Sequence, residues 1–258
     1  MPRFSANLSM LFTEVDFMDR FNKAAKAGFN AVEYMFPYAF GAQNLADALR
    51  SNELKQTLFN LPAGNWDLGE RGIAVLPDRR QEFREGVSKA ILYAKVLNCS
   101  LVNCLVGLKP SGISDSQVRD VLISNLRFAA ETLAQENIHL LIESLNTRDI
   151  PGFYLSRTTD VLSLIKEINH PNIYYQYDIY HMQVMEGDIT TTIRNNVGII
   201  GHIQLADNPG RHEPGTGEIN YPNLFRFIDE AGYAGFIGCE YKPLATTDES
   251  LAWIKPYL

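Results

Sequence analysis

The chain has no run of roughly 18 or more apolar residues, so nothing in it reads as a membrane-spanning helix. Its opening, Met1-Pro-Arg-Phe-Ser-Ala-Asn-Leu-Ser-Met10, lacks the basic-then-apolar layout of a secretory leader, and a cytoplasmic protein is expected. Cysteine is scarce. Cys99, Cys104 and Cys239 are odd in number and show no Cys-x-x-Cys spacing, which argues against a disulfide framework or a thiolate metal site and for buried, reduced thiols. Positive charge is also short: 23 Lys and Arg stand against 30 Asp and Glu, a formal net charge of -7. No basic run is longer than the Arg79-Arg80 pair, whereas nucleic-acid binding draws most of its affinity from Lys and Arg. The expected partner is a small molecule, with no nucleic acid and no membrane. A homo-oligomer is compatible with the chain, and nothing in the sequence sets its order.

Also missing is a glycine-rich phosphate fingerprint after the first strand-like segment, where Leu8-Ser-Met-Leu-Phe-Thr13 stands instead. An open doubly wound sheet usually brings one. What is present is an end-to-end alternation of strand-like and helix-like segments in 258 residues that are 46% hydrophobic, without a linker or a break in composition. Strands are expected at Arg3–Leu8, Ala31–Phe36, Leu54–Asn60, Leu101–Val106, Ile138–Glu143, Ile173–Asp178, Ile199–Gln204 and Phe236–Glu240. Helices are expected at Asp16–Ala27 (with Gly28 as C-cap), Asn44–Asn52, Asp78–Leu97, Ser114–Glu136, Thr159–Ile168, Ile189–Asn195, Tyr221–Ala231 and Glu249–Lys255. Phe83, Val87, Ala90, Ile91 and Ala94 give the third of these a helical period, and Ser114-Asp-Ser-Gln117 resembles a capping box. Eight strands each followed by a helix predict an α/β fold, a (β/α)₈ TIM barrel, as one domain over residues 1–258.

Four of the predicted strands end in residues that buried strands do not normally carry: Glu143, Asp178, Gln204 and Glu240. An unpaired ionised carboxylate in apolar surroundings costs many kcal/mol. Singly, each could be an ordinary strand-end residue salt-bridged to a loop. On four consecutive parallel strands they would instead meet at the catalytic face of the barrel. Carboxylate and amide oxygens suit Mg²⁺ or Mn²⁺, so a divalent metal is the expected cofactor.

Other polar residues cluster near these ends. His181 follows Asp178 by three residues, where the strand should give way to a loop, and is a candidate for contact with substrate. His202 shares a strand face with Gln204 and is either a rival ligand or part of the barrel interior, the reading favoured here. His139 and His170 read as surface or helix-end residues. The Gly/Pro-rich stretch from Gln204 to Glu218 is either a flexible connection or a recognition loop. Arg211 in that loop, and Arg71 in the long Pro62–Pro77 loop with Trp66, Asp67 and Glu70, could hold a carboxylate bidentately; Lys109 is a weaker candidate.

Several of these segments together resemble a known family. Tyr177-Asp-Ile-Tyr-His181, His202-Ile-Gln-Leu-Ala-Asp-Asn-Pro209, Glu213-Pro-Gly-Thr-Gly-Glu218-Ile-Asn220 and Gly238-Cys-Glu-Tyr-Lys-Pro243 are similar to the hydroxypyruvate isomerase family, as are Arg3–Phe12, Asn60–Gly64 and Gly69–Ile73. That family belongs to the xylose-isomerase-like barrels, with ketose 3-epimerases and endonuclease IV, and the similarity spans essentially the whole chain. The resemblance implies that Glu143 and Glu240 bind the metal and exchange the proton, while Asp178 and Gln204 complete the metal shell. Related epimerases commonly carry His where Gln204 stands, a departure that makes an all-oxygen site tolerant of Mg²⁺ plausible.

The resemblance also implies the reaction. Family members convert hydroxypyruvate to tartronate semialdehyde, or its four-carbon homologue 2-oxotetronate to 3-oxotetronate, by moving a proton between adjacent carbons through an enediolate. The two substrates differ by one hydroxymethylene, and the sequence does not choose between them. The nearest competing reading is a ketose 3-epimerase on the same scaffold, which needs no carboxylate anchor. A DNA-repair endonuclease would want a His-rich zinc site and a basic face. A non-catalytic sugar-acid binding protein would have no need of two glutamates beside a metal.

Overall fold

A computed structural model describes residues 1–257; Leu258, the last residue of the expected domain, lies outside the described residues. The strands are β1 (Arg3–Asn7), β2 (Ala31–Glu33), β3 (Lys55–Gln56), β4 (Phe59–Asn60), β5 (Leu101–Cys104), β6 (His139–Glu143), β7 (Ile173–Asp178), β8 (Ile200–Leu205) and β9 (Phe236–Cys239). All pairings are parallel, in the order β3-β2-β1-β9-β8-β7-β6-β5-β4. The two ends of that order, β3 and β4, are separated in the chain only by Thr57 and Leu58. Across this gap Thr57 N–H donates to the Val32 carbonyl at 2.9 Å, so β3 and β4 are one interrupted stave and the sheet closes on itself. The expected (β/α)₈ barrel is therefore present.

The helices are α1 (Arg20–Lys26), α2 (Ala42–Ser51), α3 (Arg80–Leu97), α4 (Asp115–Ala134), α5 (Thr158–Ile168), α6 (Ile179–Met185), α7 (Ile189–Asn196), α8 (Tyr221–Glu230) and α9 (Thr247–Ser250). On α3, Phe83, Val87, Ala90, Ala94 and Leu97 are buried at helical spacing, which turns one stripe onto the sheet. Ser114 and Gln117 form the predicted capping box of α4, and Gly28, at φ 98°, follows the C-cap of α1 in the left-handed region that favours glycine.

Alternation along the strands sorts the side chains. Phe4, Ala6, Val32, Val102, Leu140, Ile142, Tyr175, Ile203, Ile237 and Cys239 are buried on the apolar side that the helices cover. The opposite positions, Ser5, Glu33, Asn103, Gln176 and His202, are polar and equally buried, and hydrogen bonds join several of them across strands. Towards the carboxyl ends of the strands the barrel interior is thus polar, while Leu141, two residues before Glu143 on the same strand face, is a buried apolar residue there.

The strands are shorter than the apolar runs suggested. Leu8, Tyr34–Phe36, Leu105–Val106 and Glu240 lie beyond the paired segments, because the staves diverge into loops at that face. Where a loop was expected after Asp178, α6 begins at once, with Asp178 as its N-cap. Short 3-10 turns precede α1 and α3, and the C-terminal segment is α9 followed by two such turns instead of one helix.

Candidate active site

The end of every stave carries a polar side chain at the same face; Asn7, Glu33, Asn60, Glu143, Gln204 and Glu240 line a cavity of about 630 Å³, and Asn103 and Asp178 are buried beside it. Glu143 on β6 and the residues just past β9 bring two buried carboxylates, Glu143 and Glu240, to walls three staves apart. Glu143 accepts from Asn103 Nδ2 at 2.9 Å and from Gln176 Nε2 at 2.8 Å. Burial pushes its carboxyl up to about 8, the Asp178 carboxylate adds to the rise, and the two amides oppose it. Glu240 accepts from Asn7 Nδ2 at 3.1 Å and from Arg211 Nη2 at 2.7 Å. Burial raises its carboxyl as well, against the pull of Arg211.

Asp178 faces two ways. Its Oδ1 accepts from the backbone N–H groups of Tyr180 (2.8 Å) and His181 (3.2 Å), tying the start of α6 to the site. Its Oδ2 lies 3.6 Å from His181 Nε2 and 3.6 Å from Arg211 Nη2. Gln204 is fixed at both ends of its amide: Nε2 donates to Glu33 Oε1 at 2.8 Å, and Oε1 accepts from Gln176 Nε2 at 2.7 Å.

Arg211 sits between Glu240 and Asp178 with about a fifth of its side chain exposed. Burial disfavours its charge, but the two carboxylates hold its pKa above the ordinary value. The loop that presents it is ordered rather than a loose connection. Asp207, fully buried, accepts four backbone N–H groups: from Asn208 (2.9 Å), Gly215 (2.8 Å), Gly217 (2.9 Å) and Ile219 (3.1 Å).

Of the other predicted contacts, His181 lines the cavity, and burial pushes its pKa down to about 4, so it is neutral there. Arg71 lines it too, stacked 4.0 Å from the Trp66 ring, but its Nη1 already donates to the Trp66 (3.0 Å) and Glu70 (2.7 Å) carbonyls. Lys109 does not join them. It pairs with Asp115 at 2.6 Å on the outside of the barrel, in a shallow depression beside Arg119 and Tyr154, so its grouping with the site is corrected. His202 turns its Nε2 to Glu33 at 2.8 Å and keeps to the interior layer, as favoured.

The sequence reading passed over Asn7, Glu33, Asn60 and Asn103, which end the first four staves as the chosen residues end the last four. The polar-ending signal marks only Asn60, because the apolar runs continue past Asn7, Glu33 and Asn103 to Leu8, Phe36 and Val106. Arg148 and Lys242 at the cavity mouth lie just past their strands, where that signal stops.

Do these residues suit the expected divalent cation? The donors are all oxygen, and the three buried carboxyl groups of Glu143, Asp178 and Glu240 stand around one guanidinium. Gln176 Oε1 is buried in the same place without a hydrogen-bond partner among the described residues. In chemistry and charge the set fits a hard cation. Yet among the described residues no group of three or more His, Cys, Asp and Glu side chains is poised to hold a metal ion. Arg211 reaches between Asp178 and Glu240, and Gln176 takes the Gln204 oxygen, so the four-oxygen cage expected from the strand ends is not drawn together as the side chains stand.

Residues 21–257 match the model of the xylose isomerase-like TIM barrel. The chain belongs to that family. It is 54% identical, over the whole of both chains, to the hydroxypyruvate isomerase of Escherichia coli K12. It is 46% identical to the 2-oxo-tetronate isomerase of Cupriavidus necator, covering all of this chain and 99% of that one. Among solved structures, a Brucella melitensis protein described as an AP endonuclease of family 2 superposes with a TM-score of 0.97 at 45% identity, covering 100% and 99% of the two chains. The 3-keto-D-glucoside 4-epimerase YcjR of E. coli shares the fold, with a TM-score of 0.83 at 18% identity over 99% of each chain. The resemblance to the hydroxypyruvate isomerase family is thereby borne out across the full length of this family member.

Proposed function

We propose that the protein isomerises a small 2-oxo-3-hydroxy acid, hydroxypyruvate or its four-carbon homologue 2-oxotetronate, by moving a proton between adjacent carbons between two glutamates. The observation that carries the mechanism is the pair Glu143 and Glu240, buried on walls of one cavity three staves apart with Asp178 and Gln204 between them. The full-length similarity to two isomerases of such acids supports the substrate class.

In this reading a substrate lies across the cavity between the two carboxylates. One removes a proton from the hydroxyl-bearing carbon, giving an enediolate, and the other delivers one to the neighbouring carbon, while the hydroxyl proton passes from the first carbon's oxygen to the former carbonyl oxygen. A carboxyl raised towards neutrality by burial is suited to both giving and taking a proton. Asn103 and Gln176 orient Glu143, and Asn7 and Arg211 orient Glu240, so neither carboxylate is free to turn away. A divalent cation, Mg²⁺ or Mn²⁺, would be held by Glu143, Asp178, Gln204 and Glu240 and would stabilise negative charge on the two substrate oxygens. Arg71 and Arg211 give the cavity the positive charge that an acid substrate calls for. Three buried, unpaired thiols agree with a cytoplasmic location, and no helix among the described residues is long and apolar enough to cross a membrane.

The test is a metal-supplemented assay of small 2-oxo acids with wild type, Glu143→Gln and Glu240→Gln. Each substitution keeps size and one oxygen and is expected to cost about 10²–10⁴-fold in kcat. Turnover near the wild-type rate in both variants would remove the glutamate pair from the reaction. The Brucella neighbour's description motivates one control, nicking of abasic DNA. None is expected from a chain of net charge -7 with no basic run longer than Arg79-Arg80.

A further inference from the structure

Buried beside the cavity is a histidine whose two nitrogens are not equivalent. His181 Nδ1 receives two donors from one residue: the backbone N–H of Asn146 at 3.1 Å and its side-chain Nδ2 at 2.7 Å. The backbone N–H can only donate, so Nδ1 must be the acceptor. The side-chain amide cannot be turned over without cost, because Asn146 Oδ1 already accepts from Asp149 N–H at 2.8 Å and Nδ2 also donates to Asp149 Oδ2 at 3.1 Å. Asp149 Oδ2 in turn accepts from the Tyr180 hydroxyl at 2.7 Å, so the residue next to His181 in α6 ties into the same network. With Nδ1 accepting, a neutral ring carries its proton on Nε2, which looks towards Asp178 Oδ2 at 3.6 Å and the cavity that His181 lines.

We propose that Asn146 is a positioning residue: it locks His181 in the Nε2–H tautomer, making it a fixed neutral hydrogen-bond donor to a substrate oxygen. The substrate part of this inference rests on the isomerase reading above. A neutral donor aimed at the oxygen where charge develops costs no reorganisation during reaction and adds no cation beside Arg211. Asn146 is fully buried and does not itself line the cavity, so it reaches the site through the His181 ring and through Asp149, which it also holds.

The Asn146→Asp variant tests this. It is nearly isosteric, but its carboxylate demands a proton on Nδ1 and opposes the Nε2–H tautomer. Asn146→Ala removes the side chain and leaves the backbone donor, so it should keep the tautomer and lose only rigidity. The direct readout is the ring-nitrogen NMR spectrum of protein labelled with ¹⁵N-histidine, with the signal assigned by its loss in His181→Gln. Wild type and Asn146→Ala are expected to show His181 with a protonated Nε2 and a bare Nδ1; Asn146→Asp should show a protonated Nδ1. In parallel, kcat should fall at least about 10-fold in Asn146→Asp and less in Asn146→Ala, with KM changed less than kcat. A wild-type His181 protonated on Nδ1 would overturn the proposal, as would a changed tautomer in Asn146→Asp with unchanged kcat. Absence of turnover of either oxo acid by the wild type, with the tautomers as stated, would instead sink the isomerase reading and leave the assignment of Asn146 standing.

Discussion

At the scale of single residues, the site depends on a carboxylate the sequence reading did not select. Glu33 accepts from Ser5 Oγ (2.7 Å), Asn7 Nδ2 (3.2 Å) and Gln204 Nε2 (2.8 Å) and faces His202 Nε2 at 2.8 Å. It therefore decides which end of the Gln204 amide faces away from it and, through Asn7, where Glu240 stands. Room for it comes from Gly238, where an added Cβ would fall 2.3–2.5 Å from the Glu33 carboxylate. Gly238→Ala is expected to cost about 1–3 kcal/mol, as overpacking in a full interior does, read from the denaturant midpoint. The Glu33 hydrogen bonds should loosen with it. A variant as stable as wild type would mean that the carboxylate has slack here and does not set the site. Gly238 was legible only as part of the resemblance, since a glycine inside a strand says that something approaches closely but not what.

At the scale of elements, the loop after β8 is the clearest case of order hidden from the sequence. Composition alone left Gln204–Glu218 open between a loose connection and a recognition loop, because Gly and Pro mark both. The buried Asp207 carboxylate, gathering four backbone N–H groups, is a tertiary fact that no periodicity announces. Removing it by Asp207→Ala should leave those donors without their acceptor and free Arg211 from its place beside Glu240. The expected result is new proteolytic cleavage within residues 207–218 and a fall in kcat/KM of at least about 10-fold, or roughly 1.4 kcal/mol, with the rest of the barrel still folded. Protease resistance and kcat/KM equal to wild type would show that the loop holds itself. The strands and helices, by contrast, were readable almost throughout, because an apolar period survives in the sequence. Their ends were not, because pairing stops where the staves diverge. The helix α6 after Asp178 was missed for a related reason: the strand was expected to give way to a loop there, and only the cap geometry reveals the helix.

At the scale of the whole molecule, the barrel brings residues from position 7 to position 240 to one face, which is why the strand-end pattern led from sequence to a set of residues that meet in the structure. The same pattern did not predict that Arg211 would share the carboxylates, or that Lys109 would pair with Asp115 on the outside, because loop residues carry no period. A site with three buried carboxylates and one guanidinium should make the fold respond to a cation. Mg²⁺ or Mn²⁺ at about 100 times its dissociation constant would add about 2.7 kcal/mol of stability, raising Tm by about 5–10 °C in a chain of this size. Asp178→Asn should abolish most of that shift. An unchanged Tm at millimolar metal would argue that Arg211 alone balances the carboxylates.

The central claim is proton transfer between Glu143 and Glu240, and the measurement that tests it most directly is turnover in D₂O. The carboxylate that takes the abstracted proton does not return it, and the proton that the other glutamate delivers is drawn from solvent, so deuterium on the product carbon is expected, and its incorporation should vanish with turnover in Glu143→Gln and Glu240→Gln. Full retention of the substrate's own hydrogen in the product would contradict it, since that hydrogen would have crossed between the carbons without resting on a glutamate.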